Sequence, residues 1–258
     1  MRALILAAGD GGRLGDLTMD RPKPLVRLRG RPIIAYTLDS LAECGVMDVA
    51  VVVGYRAGQV RAEVPDLVRP GVRLSFIENT RFEEPASLSL AAAQSAFDDE
   101  TFLLVMADHM VSARLLRRLL AAAASHPGSC LVAADASPHP QDYIDEATKL
   151  VISGNGRAQS EPARVAAIGK GLAGWSALDA GAFVLSPDVW EATEAAPTAC
   201  ELSVVFERLA AEGRLVAADV SGAFWYDIDT LADFAEAERL LSGAAVADIA
   251  AAGGCGGV

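Results

Sequence analysis

The chain has 258 residues, 52% of them hydrophobic, and a formal net charge of −12. This is enough for one large domain with a sizeable core. The acidic balance argues against a surface built for nucleic acid or anionic lipid, since both reward clustered Lys and Arg.

Residues 3–8 read as a buried strand, too short for a signal-peptide core with its cleavage site. A helix follows over 33–44, stopped by Gly45, then strands over 49–53 and 72–77. Residues 87–96 have helical spacing, with Ser87 as N-cap. A strand over 101–106, a Leu- and Ala-rich helix over 112–124 and a strand over 129–134 complete the first part. Strands alternating with helices predict an α/β fold: a Rossmann-like, mostly parallel twisted sheet with helices on both faces. The rhythm changes between Pro138 and Ile168. There β-like pieces at 148–152 and 164–168 flank the turn Ser153-Gly154-Asn155-Gly156, which predicts a small antiparallel excursion. Strand 180–185, helices 187–195 and 203–211, strands 215–220 and 224–228 and a closing helix 231–241 finish the domain. It is expected to span 1–241, with 242–258 as an Ala/Gly-rich tail. No stretch reaches the ~18 apolar residues needed to cross a bilayer. Cys44, Cys130, Cys200 and Cys255 lie far apart and show no metal spacing, so free thiols in a cytoplasmic protein are expected.

The first chemical signal follows the first strand: Leu6-Ala7-Ala8-Gly9-Asp10-Gly11-Gly12-Arg13-Leu14. Glycines there let the backbone approach a ligand and turn N–H groups toward anionic oxygens. Arg13 adds a charge-assisted fork for phosphate. Leu14 stands where a dinucleotide fingerprint needs its third glycine, and no Gly-Lys-Ser/Thr follows, so neither a dinucleotide loop nor a P-loop fits. Soon after comes Arg21-Pro22-Lys23-Pro24-Leu25, in which two prolines restrain a lysine suited to clamp a transferring phosphorus.

Together these motifs resemble the signature of the sugar-phosphate nucleotidyltransferases. The resemblance extends to Leu241 and implies a nucleotide-diphospho-sugar transferase fold. It also implies a triphosphate wrapped by Leu6, Ala7, Ala8, Gly9, Gly11 and Gly12 and neutralised by Arg13 and Lys23, with Ala107 and Ser87 as further nucleotide contacts.

Asp108 follows the fourth strand, at the carboxyl edge where α/β sheets bind ligands. Nucleotidyl transfer needs a cation against the charge building on the phosphates, and Mg²⁺ takes one or two carboxylates plus phosphate oxygens. Asp227 and Asp229, two apart in Trp225-Tyr226-Asp227-Ile228-Asp229-Thr230, point to one face of a strand. By the family motif Asp108 and Asp227 are the metal pair. Asp229 is either a further ligand or the N-cap of the last helix, and His109 is read as a supporting or structural residue.

Later pieces, Asp145-Glu146-Ala147-Thr148-Lys149, Ile168-Gly169-Lys170, Leu178-Asp179-Ala180-Gly181 and Asp227-x-Asp229-Thr230, are similar to the inositol-1-phosphate cytidylyltransferases. The resemblance implies CTP and inositol 1-phosphate as substrates, with Mg²⁺ as cofactor. Lys149 and Lys170 would meet the acceptor phosphate, Asp145, Asp179 and Glu201 the hydroxyls of a polyol, and Gly181 would let the backbone come close to it. A departure is Glu83-Glu84-Pro85-Ala86-Ser87-Leu88, which keeps Ser-Leu but lacks the asparagine of the family turn. Sugar 1-phosphates, phosphocholine and phosphonates stay open as acceptors, as do the choice of triphosphate, a non-catalytic nucleotide-sensing role and a homo-oligomer.

Overall fold

The structure is a computed structural model that describes residues 1–138, 144, 147–153 and 163–242. In chain order the elements are β1 (Ala3–Ala7), β2 (Arg27–Leu28), β3 (Arg31–Pro32), α1 (Ile33–Glu43), β4 (Asp48–Val53), α2 (Ala57–Glu63), β5 (Arg73–Glu78), α3 (Ser87–Ala91) and α4 (Gln94–Phe97). They continue with β6 (Phe102–Met106), β7 (His109–Val111), α5 (Ala113–Ser125), β8 (Cys130–Asp135), β9 (Lys149–Ser153), β10 (Arg164–Gly169), β11 (Ala177–Leu185), α6 (Asp188–Ala195), α7 (Leu202–Ala211), β12 (Leu215–Asp219), β13 (Trp225–Asp227) and α8 (Leu231–Leu240).

Among the described residues the main sheet has nine strands in the order β5-β4-β1-β6-β11-β8-β12-β10-β9. The β5-β4-β1-β6 block is parallel, as is β12 against β8. All five residues of β1 are buried, as a parallel strand covered on both faces requires. Its side chains alternate. Ala3, Ile5 and Ala7 join the core formed with α1 and α5, and Leu4 and Leu6 join the one formed with α6 and α7. This alternation of strand side chains is what puts helices on both faces. The antiparallel component is larger than the 148–168 excursion. β11 runs antiparallel to β6, β8 and β9 in the middle of the sheet, with a register irregularity between Asp179 and Phe183 on its β8 side.

Three local expectations need correction. The helix expected over 87–96 is two short helices, α3 and α4. Ala86, without a side-chain cap bond, holds the N-cap place given to Ser87. The short helix α2 also lies where the sequence pattern gave none. Ser112 caps α5 as its Oγ accepts from Leu115 N at 3.3 Å. Cys44, Cys130 and Cys200 are free. No helix among the described residues is long and apolar enough to cross a membrane. The 154–156 turn, Cys255 and the tail from 243 onward lie outside the described residues.

Candidate active site

The glycine loop leaves β1 at its carboxyl end. Gly11 has φ +69°, and a Cβ there would stand 2.6 Å from Lys23 Cβ. Both the backbone conformation and the close approach therefore demand glycine. Thr18 Oγ1 ties the loop down by donating to Gly11 O at 3.2 Å and Gly15 O at 3.1 Å. Lys23, only 9% exposed, reaches from its proline-flanked turn to Asp108 Oδ2 at 2.7 Å and Asp229 Oδ1 at 2.8 Å. Arg13 Nη2 lies 2.8 Å from Asp229 Oδ2.

A two-stranded ribbon brings the distant acids together. β13 pairs antiparallel with β7, placing Asp227 opposite His109, and Ile228 N donates to Asp108 O at 3.2 Å. Thr37 Oγ1 on α1 donates to His109 O at 2.8 Å. Trp225 Nε1, at the start of β13, donates to buried Asp135 Oδ2 at 2.8 Å. The His109 ring stacks on Trp225, with centroids 6.4 Å apart and planes 8° off parallel. It also fills the space above Gly181, whose absent Cβ would lie 2.0 Å from His109 Cδ2.

Asp108, His109 and Asp227 each offer a ligand atom, and these atoms lie within 4.8 Å of one another. His109 Nδ1 is 3.1 Å from Asp108 Oδ1 and 3.6 Å from Asp227 Oδ1. Asp227 Oδ1 is buried and makes no hydrogen bond among the described residues. A buried carboxylate oxygen without a donor is costly, and beside a second carboxylate and an imidazole it suits a divalent cation.

The electrostatics agree with such a cation. Burial pushes Asp227 above the usual carboxylate range, and the charges of Asp108 and Asp229 add to it against His109 and Lys23. Burial also pushes Asp179 up to about 6. Asp108 goes the other way, because Lys23 and His109 outweigh its burial and hold it well below the usual range. Burial opposes the charge on Lys23, but Asp108, Asp227 and Asp229 together keep its ammonium above the lysine range. His109 likewise rises, against burial, to about 9 because Asp227 and Asp108 face it. More carboxylate charge than side-chain cation is concentrated here.

Two cavities meet at this cluster. One, of ≈ 430 Å³, is lined by Leu6, Ala7, Gly9, Gly11, Gly12, Arg13, Lys23, Ala107, Asp108 and Asp229, with Asp10 and Pro24 in addition. The other, of ≈ 870 Å³, takes in His109, Lys170, Asp179, Gly181, Glu201 and Asp227. Arg13 and Asp229 belong to both walls.

Some expected contacts fall elsewhere. Ala8 is buried and its carbonyl accepts from Tyr55 N at 2.9 Å, outside either lining. Ser87 is also buried, and its Oγ accepts from Cys200 N at 3.0 Å. Lys149 is buried and its Nζ donates to Lys170 O at 2.9 Å, so it supports the segment carrying Lys170. Asp229 is not an N-cap. Thr230 caps α8 in a reciprocal box with Asp233, while Asp229 holds the two cations. At Gly181 the room left by the missing side chain goes to His109. Asp145 lies outside the described residues. His109, read from the sequence as a supporting or structural residue, stands between Asp108 and Asp227 and packs on Trp225.

Comparison with known proteins gives consistent relatives. The bifunctional IPC transferase and DIPP synthase of Archaeoglobus fulgidus is 33% identical over 246 residues, covering 95% of this chain and 45% of that protein. The CMP-5'-(3-aminopropyl)phosphonate synthase of Streptomyces rubellomurinus is 36% identical over 156 residues, covering 57% of this chain and 25% of that protein. The chain thus spans about half, or less, of the length of these relatives. Among solved structures, the inositol-1-phosphate CTP transferase of T. maritima superposes with a TM-score of 0.78 at 23% identity, over 94% of this chain and 96% of that one. A UDP-glucose pyrophosphorylase complexed with UDP-glucose gives 0.80 at 15% identity, over 93% and 98%. Both share the fold. The domain description "MobA-like NTP transferase domain" matches residues 3–211, and the chain belongs to that family.

Proposed function

We propose that this chain is a cytidylyltransferase that moves CMP from CTP to inositol 1-phosphate, giving CDP-inositol and pyrophosphate. The observation that carries this reading is the meeting of Asp108 and Asp227 at the junction of the two cavities, beside Lys23. The smaller cavity takes the triphosphate, with Arg13 and Lys23 carrying its charge. The larger takes the acceptor, with Lys170 facing its phosphate. An oxygen of that phosphate attacks the α-phosphorus in line. A new P–O bond forms as the bond to the β-phosphate oxygen breaks, and the electron pair leaves with pyrophosphate. The attacking oxygen is already anionic at neutral pH, so no general base is needed. Asp108 and Asp227 would hold Mg²⁺, with His109 between them as a supporting residue, and the ion supplies Lewis-acid stabilisation of charge on the phosphates when bound. The chain's own contribution is positioning and fixed charge.

The similarity to a CMP-phosphonate synthase favours a second acceptor class, because a phosphonate offers nearly the same anionic oxygens. A matrix assay separates the readings. Four triphosphates are each paired with inositol 1-phosphate, glucose 1-phosphate, phosphocholine and aminoethylphosphonate, with pyrophosphate as readout. Release from CTP with inositol 1-phosphate above all other pairs is expected. Release from no pair sinks the enzymatic reading and leaves nucleotide sensing.

A further inference from the structure

Two loops distant in sequence meet at the rim of the larger cavity. One carries Ala86 and Ser87 into α3, and the other carries Ala199, Cys200 and Glu201 into α7. Ser87 joins them twice: its N donates to Cys200 O at 3.3 Å, and its Oγ accepts from Cys200 N at 3.0 Å. Ser87 is 4% exposed, so water competes little for these bonds. Ala199, next to the clamp, has φ +57°. A non-glycine residue keeps that conformation only where its surroundings over-determine it, and the paired bonds to Cys200 do so here.

The clamp holds the backbone of Cys200, the residue before Glu201. Glu201 holds the N-cap position of α7, yet its side chain makes no cap bond. Its carboxylate has no hydrogen bond or ion pair among the described residues, and it lines the larger cavity with Thr148, Asp179 and Ser203.

We infer that Glu201 is a specificity-determining residue for the acceptor, accepting hydrogen bonds from hydroxyls on its carbon skeleton, and that Ser87 is the positioning residue that aims it. The inference rests on the nucleotidyl-transfer reading above. An ionised carboxylate can only accept, so it selects donors and repels an acceptor carrying a second anionic group at that point. A neutral polyol bearing one phosphate satisfies both halves of the cavity, with its phosphate toward Lys170 and its hydroxyls toward Glu201. Ser87 acts from outside the cavity, through Cys200, without touching either substrate.

The test is steady-state kinetics with CTP and inositol 1-phosphate on Glu201→Ala, Glu201→Gln, Ser87→Ala and Ser87→Thr, each checked by thermal melting. Glu201→Ala is expected to raise the acceptor KM roughly ten- to hundredfold, the loss typical of a hydrogen bond to a charged group, with the CTP KM within twofold. Glu201→Gln, which keeps one carbonyl acceptor, is expected to lose less. Ser87→Ala should reproduce the rise in acceptor KM, and Ser87→Thr, which keeps the hydroxyl, should restore it. A Ser87→Ala chain whose CTP KM rises while its acceptor KM stays put overturns the inference, because Ser87 is then a nucleotide contact. Equal rises in both constants, or no change in Glu201→Ala, overturn it as well. If the wild-type chain releases no pyrophosphate, the reaction itself fails. Calorimetric titration with inositol 1-phosphate then decides the inference separately: weaker binding to Glu201→Ala sustains it, and equal binding or none at all ends it.

Discussion

At Gly181 a methyl group has no room. Its Cβ would stand 2.0 Å from the His109 ring, and its φ of +72° already suits glycine alone. Gly181→Ala is therefore expected to move His109 away from Asp108 and Asp227 and to lower kcat about 10–100-fold, since small misplacements of a charged site carry such costs. The double variant Gly181→Ala/His109→Ala removes the clash. In steady-state kinetics its kcat should fall by less than the product of the two single losses, the mark of residues in contact. Asp227 makes a different kind of prediction. Its buried oxygen without a donor sits among like charges, an arrangement kept for function at the expense of stability. Asp227→Asn is expected to lower turnover about 10²–10³-fold, the range for losing a fixed electrostatic contact to the transition state. The same change should raise the melting temperature of the metal-free chain, by about 2–4 °C for each kcal/mol recovered. A fall in that temperature would mean the cluster is not the repulsive one described.

The ribbon of β7 and β13 is the element on which the site depends. Trp225 Nε1 anchors it to Asp135 Oδ2, so Trp225→Phe leaves a buried carboxylate oxygen short of a donor. The expected cost is about 1.5–3 kcal/mol in chemical denaturation, with a drop in kcat, because Asp227 rides on the same strand. This ribbon also marks where sequence reasoning stops. The glycine loop, Lys23 between its prolines and Asp108 at a strand end are legible because each is a local pattern with a local cause. The same holds for most elements, whose apolar runs are written over a few residues. Contact between Asp108 and Asp227 is not local, since it depends on β13 returning antiparallel to β7; the family motif pairs the two acids, but no local pattern does. Strand direction leaves no trace in a period of two, which is also why β11 passes unnoticed as an antiparallel strand in the middle of the sheet. The break between α3 and α4 falls in a stretch of alanines, where propensity favours a continuous helix. Ser87 had the composition of a cap, and tertiary pairing with Cys200 took it instead.

At the scale of the whole molecule, two cavities open on one shared charge cluster. Dialysis against a chelator followed by titration with Mg²⁺ should raise the melting temperature. At a hundred times the dissociation constant the gain is about 2.7 kcal/mol. In scanning calorimetry Asp108→Asn and Asp227→Asn should each lose most of that rise, while Ser112→Ala, whose side chain caps α5 and takes no part in the cluster, should keep it. The wall common to both cavities has a last consequence. Asp229 engages Arg13 and Lys23 at once, so any incoming anion must outbid a tethered carboxylate for the same two cations. Chloride or a lone inorganic phosphate offers little beyond what Asp229 already provides, whereas a polyphosphate brings enough valence to win. A ligand of higher charge number is therefore expected to displace Asp229 from Arg13 and Lys23 more readily than chloride does.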